Sequence, residues 1–178
     1  MINVVDVIGE IVGKTSNSVE KLTGKKVFYQ YGNVIELDEI LKSYSNSTKE
    51  FREQKYPAIF LLTDFREKRN YHPDYETEAS LQLLIVDGSM KDYRTADRYK
   101  KVFNPILHPI YEAFIKKLEN DSRIVKQKFN MLPHEFINRS LISGFELKTQ
   151  SGATRNLFSD HMDAVEINNL NLIILKQC

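Results

Sequence analysis

The fold of this chain is decided by two apolar stretches, Ala58-Ile-Phe-Leu-Leu-Thr-Asp-Phe65 and Ala79-Ser-Leu-Gln-Leu-Leu-Ile-Val86. Both are short and rich in strand-forming residues, so they predict two neighbouring antiparallel strands. The first stretch hardly alternates between apolar and polar residues, which is typical of a central strand covered on both faces. The second stretch alternates, with Leu81, Leu83 and Ile85 on one face. We expect the rest of the chain to cover or extend this sheet.

Two charged loops flank these strands and are the best candidates for contact surfaces. The first is predicted between the strands, with residues 66–76 as its contact segment, and the second is a turn-rich loop over residues 87–95. Arg and Tyr in exposed loops are favoured protein-contact residues. The alternative is a pair of solvated loops whose tyrosines have no role. The candidate interface residues are Arg66, Lys68, Arg69, Tyr71, His72, Tyr75, Lys91, Tyr93 and Arg94.

The segments before the first strand predict two helices and one further strand. Residues 2–22 have apolar residues at helical spacing, and Gly24 is a plausible end for that helix. Weak helix formers in the middle of this segment leave two short helices as an alternative. Residues 27–31 predict a strand. Asn33 then resembles an N-cap for a second helix, with Glu36 completing a capping box.

A long helix is predicted after the second loop, with Thr95 as its N-cap. Pro105 and Pro109 lie inside this helix, so we predict a kink or a break there. The apolar residues that step along it by three or four, and so predict its buried stripe, are Tyr99, Phe103, Ile106, Ile110, Phe114 and Leu118.

The last third of the chain ends in a strongly predicted strand. Residues 120–160 are the least readable, with short strands conceivable at 123–125 and 145–149 and a turn at Ser151-Gly152. Residues 164–175 predict a strand whose apolar residues change parity at Asn168-Asn169. A β-bulge at that point would bring all of them onto one face. Together these elements predict an α+β fold with a mixed, mainly antiparallel sheet.

Composition excludes several classes of protein. The length of 178 residues fits one domain over 1–178, with 120–160 as an elaborated edge or arm. A formal net charge of +1 argues against a strongly basic nucleic-acid binder. The single cysteine, Cys178, can form no internal disulfide, and no apolar run is long enough to span a bilayer. We therefore expect a protein that folds in a reducing cytoplasm and has no membrane segment.

The motifs that could carry chemistry are incomplete. Gly13-Lys14-Thr15 lacks the earlier glycine and the preceding strand of a phosphate-binding loop. His134-Glu135 lacks the second histidine of a zinc helix, because position 138 is Asn138. The run from Asp160 to Asp163 offers metal-binding side chains, but such short clusters usually cap or turn the chain. We predict no catalytic residue, no metal and no cofactor.

The order of the segments resembles the tail-terminator and tail-completion proteins found in the neck of tailed bacteriophages. The resemblance covers most of the chain. It rests on Phe28-Tyr-Gln-Tyr-Gly32 with the helix after it, on 55–65, on 81–86, on the proline-bearing segment 98–112 and on the closing strand 163–170.

This resemblance implies a structural virion protein without an enzymatic site. It implies an α+β domain that assembles into a ring, assembled in the host cytoplasm and located in the neck or tail of the virion. The ring would contact the tail tube or tail hub on one side and the head-tail connector or portal on the other. DNA would pass through its lumen without sequence-specific binding. A hexamer suits a long tail, whereas a dodecamer suits a connector-side ring.

Three alternatives remain open from the sequence. The first is a connector-side ring protein of a short-tailed phage. The second is a small metal-dependent nuclease that uses carboxylates near the strand ends, namely Asp64, Glu76 or Glu78. The third is a scaffold that binds a partner protein and has no virion role.

Overall fold

The computed structural model describes residues 3–48, 55–70, 76–126, 132–140, 147–148, 154–155 and 160–175. It has helices and a mixed sheet in one chain, which establishes the α+β class predicted from the sequence. In chain order the elements are α1 (Val4–Thr23), β1 (Phe28–Gly32), α2 (Val34–Ser45), β2 (Ala58–Asn70), β3 (Glu76–Gly88), α3 (Thr95–Arg98), a π-helix (Tyr99–Leu107), α4 (His108–Glu119), β4 (Glu135–Arg139), β5 (Leu147–Lys148), β6 (Thr154–Arg155) and β7 (Met162–Leu175).

The described strands form a five-stranded sheet in the order β1-β2-β3-β7-β4 and a separate two-stranded ribbon of β5 and β6. β1 is parallel to β2, whereas every other pair in the large sheet is antiparallel. The predicted antiparallel pairing of the two opening strands is therefore confirmed. Their predicted lengths are wrong, because β2 and β3 are thirteen residues each and extend through much of the expected loop.

β2 is covered on both faces, as its unbroken apolar sequence predicts. Ile59 and Leu61 join the core that lies between the sheet and the layer formed by α1, the π-helix and α4. Ala58, Phe60 and Leu62 join a second core under α2. We call the first the inner face of the sheet and the second the outer face. The three β3 residues predicted to share a face, Leu81, Leu83 and Ile85, all lie on the inner face.

Two register changes bend the sheet at one place on β3. Three β2 residues, 63–65, oppose the single residue Leu81. On the other side of β3, Asn168 and Asn169 oppose the single residue Gln82. The second change is the predicted bulge, and Asn169 adopts a left-handed backbone conformation with a φ of 53°. The bulge brings the apolar residues before and after it onto the inner face.

The first two helices match their sequence signals. α1 is one continuous helix rather than two, and it ends at Gly24 in the left-handed conformation with a φ of 71°. Ile2 of the predicted helix lies outside the described residues. At α2, the Asn33 side chain accepts from the backbone amides of Ile35 and Glu36, while the Glu36 carboxylate accepts from the Asn33 amide. The predicted capping box is therefore confirmed.

The long helical segment differs from the prediction in three ways. Thr95 is the first helical residue and not the N-cap, a position that Arg94 occupies. Pro105 lies inside the π-helix, so the helix widens there instead of breaking. This widening changes the phase of the stripe, since Tyr99 is exposed and Val102 and Leu107 are buried instead.

The region 120–160 contains elements that the sequence left unclear. Ile124 forms an isolated bridge to Ile174, and Leu147–Lys148 pairs with Thr154–Arg155. β4, which was not predicted, pairs with β7 at the sheet edge. The expected turn at 151–152 lies outside the described residues.

Candidate interaction surfaces

Among the described residues, only one half of the outer face is covered. We call this the lower half; it is the part of the sheet formed by 58–62 on β2 and 84–86 on β3. α2 packs Leu37 and Leu41 over that half. Beyond the two register changes, the outer face carries polar and charged side chains. We call this part the distal face and define it by Arg66 and Lys68 on β2, Glu78 and Ser80 on β3, and Asn171 and Ile173 on β7, which line a groove of about 480 Å³.

The distal face is exposed, and two of its charged side chains form an ion pair. Lys68 lies directly opposite Glu78 in the register, and their charged groups are 3.5 Å apart. Both side chains are well exposed, so this ion pair contributes little to stability. Arg66 lies opposite Ser80, which is also exposed. The face can therefore exchange its ion pair for contacts with a partner at little cost.

The candidate residues of the first loop are only partly brought together. Arg66 and Lys68 are strand residues on the distal face, which corrects their prediction as loop residues. Arg69 is also in β2 but alternates to the inner side, where its guanidinium is paired with Glu67. Tyr71, His72 and Tyr75 lie outside the described residues.

The second predicted loop is present, and two of its three candidate residues, Lys91 and Arg94, are exposed. Tyr93 is half-buried, and the Lys101 ammonium lies 4.3 Å from the centre of its ring. Met90, which was not a candidate, exposes 62% of its surface at the tip. We call residues 89–94 the lower loop.

The buried side chain of Arg98 holds the lower loop in place through hydrogen bonds to its backbone. Its guanidinium donates to the backbone carbonyls of Met90 at 2.9 Å and Tyr93 at 3.0 Å. It also donates to the Asp163 carboxylate at 2.6 Å and to the Ser89 hydroxyl at 2.7 Å. Ser89 in turn donates to Asp163 at 2.7 Å. This network holds the loop in one conformation, which lowers the entropy cost of binding a partner.

Sequence reasoning missed the role of Arg98. It treated Asp163 as part of a candidate metal cluster, whereas the structure uses that carboxylate to bind the arginine. No local pattern marks Arg98, because its hydrogen-bond partners lie in the lower loop and on β7.

The distal face and the lower loop lie at opposite ends of β3. Lys68 pairs with the first residues of β3, while Ser89 follows its last residue, Gly88. Eight residues of β3, 81–88, lie between Ser80 of the distal face and Ser89 of the lower loop, which separates the two surfaces by roughly 30 Å. The two sets of candidate residues therefore form two separate surfaces and not one.

The remaining candidate motifs serve packing and ion pairing. Lys14 lies inside α1 and pairs with Asp121 at 3.1 Å. Asp160 binds the Lys55 ammonium and accepts from the Tyr56 hydroxyl at 2.9 Å. His134 precedes a strand and not a helix, and its Nε2 lies 2.7 Å from the Tyr111 hydroxyl.

The carboxylates of the nuclease alternative do not converge. Asp64 lines a second cleft, of about 290 Å³, at the register changes. Glu78 lies on the distal face, and Glu76 opposes Leu175 at the start of β3. Within the part of the chain that the structure describes, no group of three or more His, Cys, Asp or Glu side chains is placed to hold a metal ion.

Two ionisable groups, Tyr56 and Asp87, lie near the end of β3 that leads to the lower loop. Burial raises the pKa of Tyr56, and the neighbouring Asp160 carboxylate raises it further. Burial also raises the pKa of Asp87, which the nearby Lys25 ammonium partly offsets. Tyr56 packs against the core under α2, and Asp87 lies at the end of β3 that leads to the lower loop.

Comparison with known proteins gives no assignment. No protein-family model matches the chain, and no curated protein matches it either. No helix among the described residues is long and apolar enough to cross a membrane.

Proposed function

We propose that this protein is a structural component of a bacteriophage neck, of the tail-terminator or tail-completion type, that assembles into a ring. Two things support the proposal: the resemblance of the chain to that family, and the position of its two charged surfaces at opposite ends of β3. A ring between a tail and a connector must bind a different partner on each of its two sides. Two separate surfaces on one rigid strand meet that requirement.

In this proposal the lower loop and the distal face bind the two axial neighbours of the ring. One neighbour is the tail tube or tail hub protein, and the other is the connector or portal-side protein. Subunits of a closed ring meet through different patches on each copy. DNA passes through the lumen without sequence-specific contacts. Assembly takes place in the host cytoplasm, and the mature location is the virion neck.

The ring is tested by negative-stain microscopy and native mass spectrometry of the purified full chain. We expect closed rings, with six copies for a long tail, that cap the ends of isolated tail tubes. Twelve copies would instead favour the connector-side ring of a short-tailed phage. A monomer at every concentration tested would overturn the ring.

The docking roles are tested with charge-reversal variants. Arg66→Glu combined with Lys68→Glu should abolish binding to one axial partner, and Lys91→Glu combined with Arg94→Glu should abolish binding to the other. Both variants should keep the ring. Two exposed helical lysines, Lys21 and Lys116, provide a charge-matched control, since their replacement by Glu should leave both partners bound. Equal losses in all three variants would contradict separate docking surfaces.

The nuclease alternative needs a direct assay, because the scattered carboxylates argue only against a site built from described residues. Purified protein is incubated with DNA and Mg²⁺ or Mn²⁺. Cleavage that Asp64→Ala abolishes would establish the nuclease and remove the neck proposal. Absence of cleavage leaves the ring assay as the deciding measurement.

A further inference from the structure

The two terminal strands of the sheet, β1 and β4, lack the proline, lysine and bulge that often protect a sheet edge, although β4 carries the charged residues Glu135 and Arg139 at its two ends. Each has five residues and is hydrogen-bonded to a single strand among those described. Neither contains proline or lysine, and neither pairing has a register shift. Edges in monomeric proteins are normally blocked by such residues or by bulges. Two edges of equal length without proline, lysine or a bulge are therefore candidates for pairing with another chain.

Both edges also carry an exposed aromatic residue on the same face of the sheet. Tyr31 is 54% exposed and Phe136 is 41% exposed. Tyr31 pairs in register with Leu61, and Phe136 pairs with Ile167. Leu61 and Ile167 belong to the inner-face core, so both aromatic rings lie on the inner side.

The polarity of the strands shows which edges can meet in a ring. β1 is parallel to β2, and three antiparallel pairings then lead from β2 to β4. β1 and β4 therefore run in opposite directions. A rotation axis that runs along the strands keeps every strand direction and keeps the inner face on the same side. Under that rotation, β4 of one copy meets β1 of the next copy antiparallel.

We propose that β1 of one copy pairs antiparallel with β4 of the next, so that the sheets join edge to edge around the ring. This inference rests on the proposed ring, and it names the lateral interface within it. Pairing all five residues of each strand places Tyr31 opposite Phe136 and Tyr29 opposite Asn138, and this register keeps both aromatic rings on the inner face because side chains alternate along a strand. Because the strands then run along the ring axis, the distal face lies on one open side of the ring and the lower loop lies on the other.

The pairing is tested by disulfide trapping in a Cys178→Ser background, which removes the only native cysteine. Directly opposed residues in antiparallel strands are close enough for a disulfide. A mixture of Tyr31→Cys protein and Phe136→Cys protein, oxidised with diamide, should form covalent dimers. The chain carrying both substitutions should form a ladder of bands that stops at the number of copies in the ring.

The controls separate this interface from other contacts. Ile35 is 63% exposed but lies on α2, so Ile35→Cys combined with Phe136→Cys should give no ladder. Dimers from Tyr31→Cys protein alone would show two β1 strands pairing across a two-fold axis, which would overturn the proposal. As a second readout, Tyr31→Lys should lower the assembled fraction at least tenfold, whereas Ile35→Lys should not.

The microscopy and the cross-linking together distinguish a failure of this inference from a failure of the proposed function. Rings in the microscope without a Tyr31–Phe136 cross-link would overturn the edge pairing and leave the neck ring intact. A cross-linked ladder without closed rings would support the edge pairing and overturn the ring.

Discussion

Arg98 and Asp163 form a buried ion pair in which the guanidinium donates to the carboxylate across 2.6 Å, with side-chain exposures of 5% and 0%. The same guanidinium holds the carbonyls of the lower loop, so one side chain joins β7 to a proposed docking surface. Removing one partner of a buried ion pair is much more costly than removing an exposed one, because the remaining charge stays in a poorly solvated site.

Replacement of Arg98 by Met should lower the free energy of unfolding by about 3–5 kcal/mol. Urea denaturation measures this loss, and hydrogen exchange should show faster exchange in residues 89–93. Lys68→Met is the matched control, because it removes an exposed pair with Glu78 at 3.5 Å, far from the lower loop, which is worth about 0–1 kcal/mol. Similar losses in both variants would contradict the role given to Arg98.

Two glycines of α1 should respond in opposite ways to alanine. Gly13 has no neighbouring atom near the position of an added Cβ, so Gly13→Ala should stabilise the protein by about 0.5–1 kcal/mol. At Gly9 the new Cβ would lie 2.9 Å from Cε1 of Tyr29. The Tyr29 ring cannot move freely, since its hydroxyl donates to the Val5 carbonyl at 2.9 Å.

Gly9→Ala should therefore destabilise the protein by about 1–3 kcal/mol, despite the better helix propensity of alanine. Thermal unfolding of the two variants, measured side by side, gives the comparison. A stabilised Gly9→Ala variant would show that the contact between α1 and β1 is looser than described.

The bulge residue Asn169 should tolerate glycine but not valine. Its φ of 53° is left-handed, a conformation that costs a β-branched residue about 1–2 kcal/mol and glycine nothing. The side chain is exposed, so packing changes do not obscure the result. Urea denaturation should rank Asn169→Gly near the wild type and Asn169→Val well below it. Equal stabilities would argue against the left-handed conformation.

Asp121 should make stability depend on pH in the acid range. Hydrogen bonds from Arg123, and a further one from Lys14, lower the pKa of this buried carboxyl below its ordinary value. A lowered folded-state pKa gives stability that is complete above the unfolded-state pKa of about 3.9 and is lost as pH falls through the folded-state pKa. Asp121→Asn should thus be less stable than the wild type at neutral pH.

The difference between Asp121→Asn and the wild type should shrink as the pH is lowered into the acid range, measured by urea denaturation at each pH. Asp92→Asn, at an exposed position of the lower loop, serves as the control and should change stability little at any pH. A gap at Asp121 that stays constant down to low pH would contradict the charged interaction.

The core of this fold is readable in the sequence wherever burial and local chemistry agree. The unbroken apolar run of β2 predicts two covered faces, and the parity change at Asn168-Asn169 predicts the bulge. The Asn33–Glu36 box predicts the start of α2. In each case a few adjacent residues determine the local structure, so no knowledge of distant contacts is needed.

The elements that sequence reasoning missed are fixed by distant contacts. Arg66-Glu-Lys-Arg69 contains no apolar residue and looks like a loop, yet it is held in β2 by pairing with β3. β4 is a short edge strand, and its partner among the described strands, β7, is distant in the sequence. The π-helix depends on how residues around Pro105 pack on the sheet, which periodicity alone does not reveal.

β3 is bonded to a neighbouring strand on each side, so it can neither stretch nor shorten without breaking two ladders at once. It therefore fixes the distance between the distal face and the lower loop. In the proposed ring this distance would set the thickness of one layer in the stack between tail and head. Inserting two residues in β3 alone would preserve the parity of its side chains, but the layer would then no longer fit both of its neighbours.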